Sequence, residues 1–101
     1  MQRALWDPVD PQLLGSLTED LHFRVNGEVY RFATERTMKR FVQEPQLWCG
    51  VVRDPVTGVR FVPSTKSPSA WWTTGPYFFE SDSTKDAFVE NPKRYQVLRE
   101  I

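Results

Sequence analysis

The sequence predicts an α+β protein made of two tandem ββα units, each a β-hairpin followed by a short helix, that share one metal-free core. Three observations favour this fold: an internal repeat, an Asn-Gly hairpin signal, and a short helix that ends at a proline in each half. A gapless shift of 47 residues places many positions of the second half on identical residue types in the first, which implies two copies of one supersecondary unit. We therefore expect a first unit at residues 1–50 and a second at residues 51–101. They should fold as one cooperative body, because units of about 50 residues are only marginally stable alone.

The repeated positions are mainly aromatic residues and prolines, which we interpret as the structural motif of each unit. Asp-Pro-Val sequences at 7–9 and 54–56 repeat at the same spacing. Large rings suit a small core because each buries a large apolar area. The motif comprises Tyr30, Phe32, Phe41 and Pro45 in the first unit, and Tyr77, Phe79, Phe88, Pro92 and Tyr95 in the second.

The composition excludes several classes of function. Thirteen basic and thirteen acidic side chains cancel, so the chain lacks the electrostatic footprint of a nucleic-acid binder or a basic membrane-surface protein. No apolar run approaches the roughly 20 residues that a membrane span needs, and the N-terminus lacks the apolar core of a signal peptide. We expect a soluble cytoplasmic protein. Its single cysteine forms no internal disulfide.

The first segment, up to residue 20, is rich in turn-forming pairs such as Asp10-Pro11 and Gly15-Ser16, so we expect no long regular element there. A short helix from Pro11 to Leu17 is an alternative. From Leu21 to Val25 apolar and polar residues alternate.

An Asn-Gly turn at 26–27 then predicts a hairpin whose second strand runs from Glu28 to Phe32. This turn sets Phe23 opposite Tyr30 on an apolar face and leaves Arg24 and Arg31 on a polar face.

A helix follows each hairpin. Thr34 is the expected N-cap of a helix from Glu35 to about Gln43, which Pro45 ends. Met38, Phe41 and Val42 recur at helical spacing and should cover the hairpin. Leu47 and Trp48 then close the first unit.

The second unit begins with the turn Asp54–Gly58 and a short strand, Val59–Val62, before a loop at 63–68. We expect its hairpin to pair Ala70–Trp72 with Tyr77–Phe79 around a turn at 73–76. By analogy with the first unit, Trp72, Tyr77 and Phe79 face inward. Gly75 leaves open a shift of the turn by one residue, which would exchange Trp72 with Trp71.

The second helix is expected from about Ser83, with Asp86 completing a capping box, and it should end before Pro92. Tyr95, Val97 and Leu98 would close this unit.

The order of these motifs resembles the YHS domain family. Its pattern runs Asp-Pro-Val-Cys-Gly, a hairpin ending in Tyr-x-Phe-Cys-Ser, a second cysteine four residues after the first, then Phe and Asn-Pro-x-x-Tyr. The second half matches through Asp54–Gly58, Tyr77–Ser81, Phe88 and Asn91–Tyr95, and the first half matches more weakly through Asp7–Val9, Tyr30–Phe32, Phe41 and Pro45. The resemblance thus covers nearly the whole chain as a tandem pair.

The cysteines of the family are absent from this sequence. Relatives that keep them look like metal-binding modules, related to zinc-ribbon-like domains, and occur beside heavy-metal transporters and in subunits of di-iron monooxygenases. Soft metals need thiolate or imidazole ligands, so we expect neither a metal site nor a cofactor here. The cysteine positions hold Asp10, Ala33 and Thr37 in the first unit, and Thr57, Glu80 and Thr84 in the second.

The candidate binding residues lie where the two units differ. Trp71 and Phe78 should stand side by side on the outer face of the second hairpin, where the first unit carries Arg24 and Arg31. Exposed aromatic pairs mark binding surfaces. Two alternatives stay open: the rings form the core between the units, or they mediate a homodimer.

A metal or catalytic role would depend on Cys49, on His22, or on scattered carboxylates. We interpret Cys49 as a buried small hydrophobe and His22 as a solvated strand residue. The carboxylates form no recognised catalytic motif, and the five glycines form no phosphate-binding loop.

The sequence therefore predicts a non-catalytic interaction or accessory module that binds a protein partner or itself. The resemblance suggests association with a metal-dependent oxygenase or a similar enzyme complex. The alternative is a metal-handling or metal-sensing protein related to the cysteine-containing YHS domains.

Overall fold

The chain folds into short β-hairpins and short helices in this computed structural model, which describes residues 6–15 and 19–97. Within those ranges the strands form three two-stranded antiparallel sheets and are accompanied by three α-helices. This confirms the predicted α+β class. The strands are β1 (His22–Val25), β2 (Glu28–Arg31), β3 (Val52–Arg53), β4 (Arg60–Phe61), β5 (Ser69–Trp72) and β6 (Gly75–Phe78), and the helices are α1 (Glu35–Gln43), α2 (Asp82–Glu90) and α3 (Pro92–Tyr95).

The first hairpin has the register that its Asn-Gly turn predicts. Phe23 lies opposite Tyr30 and Val25 opposite Glu28. Asn26 and Gly27 both have positive φ, 51° and 78°, which is the backbone of a two-residue turn that matches the strand twist.

Both long helices are capped at their N-terminus by a residue with a side-chain hydroxyl group. The side chain of Thr34 accepts from the Thr37 amide at the start of α1, as predicted. In α2 the cap is Ser81, which accepts from the Thr84 amide, so the predicted capping box at Ser83 is wrong. Ser81 lies 47 residues after Thr34, and the repeat would have located this cap.

The second hairpin has a shorter turn than the sequence suggested. Trp72 pairs with Gly75, so the turn is only Thr73-Thr74. Pro76 is tolerated inside β6 because an N–H at this position would point away from β5. Its absence therefore removes no hydrogen bond between the two strands. Trp72 faces inward and Trp71 faces outward, as the repeat predicted.

Strands β3 and β4 have two residues each and pair as a short ribbon on either side of the turn that opens the second half. Val52 pairs with Phe61 on its buried side, and Arg53 pairs with Arg60 on the other. The sequence predicted the turn and β4 but missed β3. Near the N-terminus, Trp6 forms an isolated bridge with Leu14. Residues 11–15 adopt turns and this bridge, so no helix begins at Pro11, and residues 16–18 lie outside the described ranges.

Two aromatic clusters form the core. The first consists of buried Val25, Phe32, Phe41, Cys49, Val52 and Phe78. The second consists of Tyr77, Phe79 and Phe88, with Val56, Ala70, Trp72, Tyr95 and Val97 packed around them. Phe78 therefore belongs to a cluster contributed mainly by the first half of the chain. Of the residues expected to close the first unit, Trp48 packs on its cluster, whereas Leu47 is exposed. Leu98 lies outside the described residues.

Asn26 joins the first hairpin to the second half of the chain. Its backbone N–H donates to the carbonyl of Pro76. Its side-chain Nδ2 donates to the carbonyls of Arg53 and Phe78 at 2.8 and 2.9 Å, and its Oδ1 accepts from the Phe78 amide at 2.7 Å. The turn residue thus supplies the hydrogen bonds that a third strand would otherwise give to this edge of β6.

Candidate functional site

Trp71 is the most exposed of the aromatic residues proposed to bind a partner. Its side chain is 68% exposed. The indole lies near the Phe23 ring, with the centroids 6.2 Å apart in an edge-to-face arrangement. The ring therefore sits over the junction of the two hairpins while most of its surface stays in water.

Phe78 lies on the same face of the hairpin as Trp71 but is buried. Only 7% of its surface is exposed, and it packs in the cluster that contains Phe32 and Phe41. The two rings thus have different environments. Phe78 therefore agrees with the alternative in which its ring is part of the core between the two halves. A buried ring cannot contact a partner.

Arg24 and Arg31 are both half-buried on the first hairpin. Strand β1 approaches β6 closely at Arg24, because a Cβ on Gly75 would lie 2.8 Å from the Arg24 carbonyl oxygen. The Nη1 atom of Arg31 is buried and has no hydrogen-bond partner among the described residues. Neither arginine lines the groove beside Trp71.

A groove of about 250 Å³ lies beside Trp71. One wall is the end of α1 with the following 3-10 turn, through Val42 and Pro45, and the other is the loop from Ser64 to Ser69. Its lining residues carry no formal charge: Val42, Gln43, Pro45, Gln46, Ser64, Thr65, Ser67, Ser69, Trp71, Pro76 and Phe78.

Among the described strands, none pairs with β5 along the edge that faces away from β6. The Phe79 amide donates to the Pro68 carbonyl, which fixes the alternation of hydrogen-bonded pairs along the hairpin. The N–H and C=O groups of Ser69 and Trp71 therefore point away from β6, where no other strand of the described sheets lies. An edge of this kind is a template for pairing with another chain.

Cys49 is buried and is held as a neutral thiol. Burial raises the pKa of Cys49 to about 11, so the thiolate that nucleophilic or metal chemistry requires is scarce at neutral pH. The hydroxyl of Tyr30 donates to the Cys49 carbonyl at 3.0 Å. Burial, followed by the proximity of Cys49 and Glu28, raises the pKa of Tyr30 well above its ordinary value.

His22 lies on β1 opposite Arg31. Within residues 6–15 and 19–97, no group of three histidine, cysteine or carboxylate side chains is placed to hold a metal ion. The structure therefore does not assemble Cys49 and His22 into such a group.

Each half holds one buried aspartate, which residues 57, 80 and 84 surround in the second half and residues 10, 33 and 37 surround in the first. Asp54 Oδ1 accepts from the amides of Val56 and Thr57, and its Oδ2 accepts from the Glu80 amide at 3.0 Å and from Thr84 Oγ1 at 2.6 Å.

Asp7 repeats this pattern in the first half. It accepts from the amides of Val9, Asp10 and Ala33 and from Thr37 Oγ1. Each acceptor–donor pair differs from its counterpart by 47 in residue number. Both aspartates are fully buried, and a buried carboxylate needs such partners to offset its lost hydration.

From the sequence, these aspartates are predicted only as part of a turn, with no hydrogen-bond partner. A signal was nevertheless present, because Asp7 and Thr37 and their repeats Asp54 and Thr84 are polar residues that recur in a motif of core residues.

We predict that Asp7 makes the stability of the protein sensitive to acid. Burial raises its pKa, but the hydrogen bonds from Thr37 and from three backbone amides outweigh burial and leave the pKa below the ordinary value. The folded state therefore releases this proton more readily than the unfolded chain. The contribution is complete above the unfolded pKa of about 3.9 and is lost as the pH falls through the folded pKa.

Urea unfolding measured from about pH 7 to about pH 3 would test this. Asp7→Asn should lower stability near neutrality and flatten the loss below about pH 4, whereas the exposed Asp86→Asn should keep the wild-type slope. Equal slopes for wild type and Asp7→Asn would contradict the prediction.

A second concavity was not foreseen from the sequence. It lies between β2 and the β3–β4 ribbon, has a volume of about 650 Å³, and is lined by Arg53 and Arg60 together with Glu28, Tyr30 and Cys49. The pairing of the two arginines depends on β3, which the sequence pattern does not predict.

Among the described residues, no helix combines the length and apolar character needed to cross a membrane. Comparison of the chain with protein-family models, with curated proteins and with solved structures gives no match.

Proposed function

We propose that this chain is a non-catalytic protein-interaction module that binds an extended segment of a partner protein at Trp71 and the β5 edge. The single observation that carries the proposal is the 68% exposure of Trp71 beside an uncharged groove. Large aromatic side chains dominate binding energy at protein interfaces because they bury much apolar area with little loss of conformational freedom. An aromatic ring kept in water next to a concave surface is suited to that role.

The β5 edge supports an extended partner segment. Outward-facing backbone groups of Ser69 and Trp71 can pair with a strand laid along them. Side chains of that strand would alternate, and those on one side would meet Trp71 and the groove. Main-chain pairing would then supply affinity, while the groove selects uncharged side chains because its lining offers no charge to pair with.

We further propose that the scaffold is a tandem pair of ββα units, residues 1–50 and 51–101, without metal. The matching hydrogen bonds of Asp7 and Asp54 support two copies of one unit. Threonine hydroxyls donate to both carboxylates where the resembling family has thiolates. The resemblance alone suggests the setting, as an accessory to a metal-dependent oxygenase or a similar enzyme complex.

A matched pair of tryptophan substitutions tests the interaction site. Trp71→Ala should abolish capture of a partner from the native cell extract, while its folding stability changes by less than about 1 kcal/mol because the ring is mostly solvated. Trp6→Ala is the control, since Trp6 is also a largely exposed tryptophan, at 53%. Capture is measured by affinity purification at equal protein concentration, and stability by thermal unfolding.

Three outcomes would count against the proposal. Partner capture that survives Trp71→Ala, or that is lost equally in Trp6→Ala, would place the binding surface elsewhere. A large drop in thermal stability for Trp71→Ala would make the ring part of the core between the two halves. Concentration-dependent dimerisation that Trp71→Ala removes, with no other protein captured, would replace a foreign partner with a second copy of the chain.

A further inference from the structure

We propose that the cleft between β2 and the β3–β4 ribbon binds the phosphate group of a small phosphorylated molecule. The cleft lies away from the groove beside Trp71, and the two share no lining residue. Its volume of about 650 Å³ falls within the range of small-molecule sites.

Two arginines project side by side into this cleft. Arg53 and Arg60 are direct cross-strand partners on the exposed face of the ribbon, and both line the cleft. Side chains paired in this way start only about 5 Å apart at Cβ, and like charges there destabilise a sheet. The ribbon has only two residue pairs, so it has few other cross-strand contacts to offset this repulsion. An anion held between the two guanidinium groups would remove it.

The charge balance of the lining favours an anion. It contains two arginines and one carboxylate, Glu28, and Glu28 already has an interaction partner within the fold. Even if that partner is one of the two arginines, the lining leaves the other without an anion. A phosphate monoester carries between one and two negative charges near neutrality and three acceptor oxygens, which suits two adjacent guanidinium groups better than a single carboxylate does.

Arg53 stands on a rigid support. The Arg53 carbonyl accepts from the buried Asn26 side chain at 2.8 Å. Val52, one residue earlier, is buried in the first cluster, and Asp54, one residue later, is fully buried with a carboxylate that accepts four hydrogen bonds. The backbone that carries Arg53 therefore needs little ordering when a ligand binds, which lowers the entropic cost of binding.

The β2 wall of the cleft, across from the ribbon, includes the aromatic ring of Tyr30 and the side chain of Val29. An organic group attached to the phosphate would lie against this wall. A phosphate ester with an apolar body is therefore expected to bind more tightly than inorganic phosphate.

Calorimetric titration of the full chain at low salt tests the proposal with phenyl phosphate, inorganic phosphate and benzoate as probes. Phenyl phosphate should bind most tightly and benzoate least. Arg53→Gln and Arg60→Gln should each weaken phenyl phosphate binding by about tenfold or more. Arg36→Gln, which changes an exposed arginine on α1, should leave binding unchanged.

A second measurement separates loss of binding from loss of folding. Without ligand, Arg60→Gln should unfold at the same temperature as the wild type or slightly higher, because it removes the like-charge pair. Phenyl phosphate should raise the unfolding temperature of the wild type and not that of Arg60→Gln.

Absence of phenyl phosphate binding to the wild type would overturn the proposal, and so would equal weakening by Arg36→Gln. Benzoate binding as tightly as phenyl phosphate would overturn the assignment to phosphate. None of these results depends on the partner surface at Trp71, so each proposal can fail alone.

Discussion

Replacing Phe88 with alanine is expected to lower the free energy of unfolding by about 3 to 5 kcal/mol. Phe88 is almost fully buried on α2, and its ring lies 4.7 Å from that of Tyr77 and 5.3 Å from that of Phe79. Truncation removes the apolar contacts of a whole ring and leaves a cavity that the surrounding hairpin and helix can fill only in part. Urea unfolding followed by tryptophan fluorescence measures the loss.

The neighbouring residue provides a control for Phe88. Val89 lies on the same helix but is exposed, so Val89→Ala should change stability by no more than about 0.5 kcal/mol. A loss of less than about 2 kcal/mol for Phe88→Ala would mean that the site collapses around the smaller side chain.

The shape of the Phe88→Ala transition also tests cooperativity between the halves. Phe78 carries the second hairpin into the cluster of the first half, so a defect at Phe88 should destabilise the whole chain in one transition. Separate transitions for the two halves, seen by probes in each, would show that residues 1–50 and 51–101 unfold independently.

Replacing Asn26 with alanine is expected to cost about 3 to 4 kcal/mol although it removes almost no apolar area. Asn26 is buried, and its side chain makes three hydrogen bonds to the second half of the chain. Alanine would leave the buried Phe78 amide without an acceptor, and it would also strain a backbone that has φ of 51°. Equilibrium unfolding in urea measures the total.

Two further variants divide the Asn26 effect into its causes. Glycine tolerates positive φ, so Asn26→Gly should be about 1 kcal/mol more stable than Asn26→Ala. This difference measures the backbone strain that alanine introduces. Asn26→Asp keeps the acceptor for the Phe78 amide but turns an oxygen toward the carbonyls of Arg53 and Phe78, so it should be strongly destabilised.

Asn91 is the matched control for Asn26. It is exposed, and its side chain makes no capping hydrogen bond to α3. Asn91→Ala should stay within about 0.5 kcal/mol of the wild type. Similar losses at both asparagines would refute a special role for the bridge from Asn26.

Local signals in the sequence predicted much of the secondary structure. The Asn-Gly turn set the register of the first hairpin, and Thr34 and Pro45 bounded α1, because these effects act over a few residues. The repeat correctly oriented Trp72 inward and Trp71 outward. The errors were local as well: the cap of α2 lies at Ser81, and the second turn is only Thr73-Thr74.

The candidate surfaces were harder to predict because they depend on residues far apart in the sequence. Trp71 and Phe78 share one face of a hairpin, so alternation alone treats them alike. They differ because the first half of the chain covers Phe78 and leaves most of Trp71 in water. The arginine pair was missed for a similar reason, since a strand of two residues has too short a pattern to recognise.

The sequence by itself thus determined the α+β class, the two longer helices and which residues share a face of each hairpin, because alternation, turn residues and caps are local physical effects. Only the tertiary structure decided which polar residues are buried and with what partners. Asp7 and Asp54 bind amides and a threonine hydroxyl up to 30 residues away, and Asn26 reaches Phe78 across 52 residues. A buried polar group is stable only where its hydrogen-bond partners lie within reach. Partners that are distant in the sequence come within reach only in the folded chain.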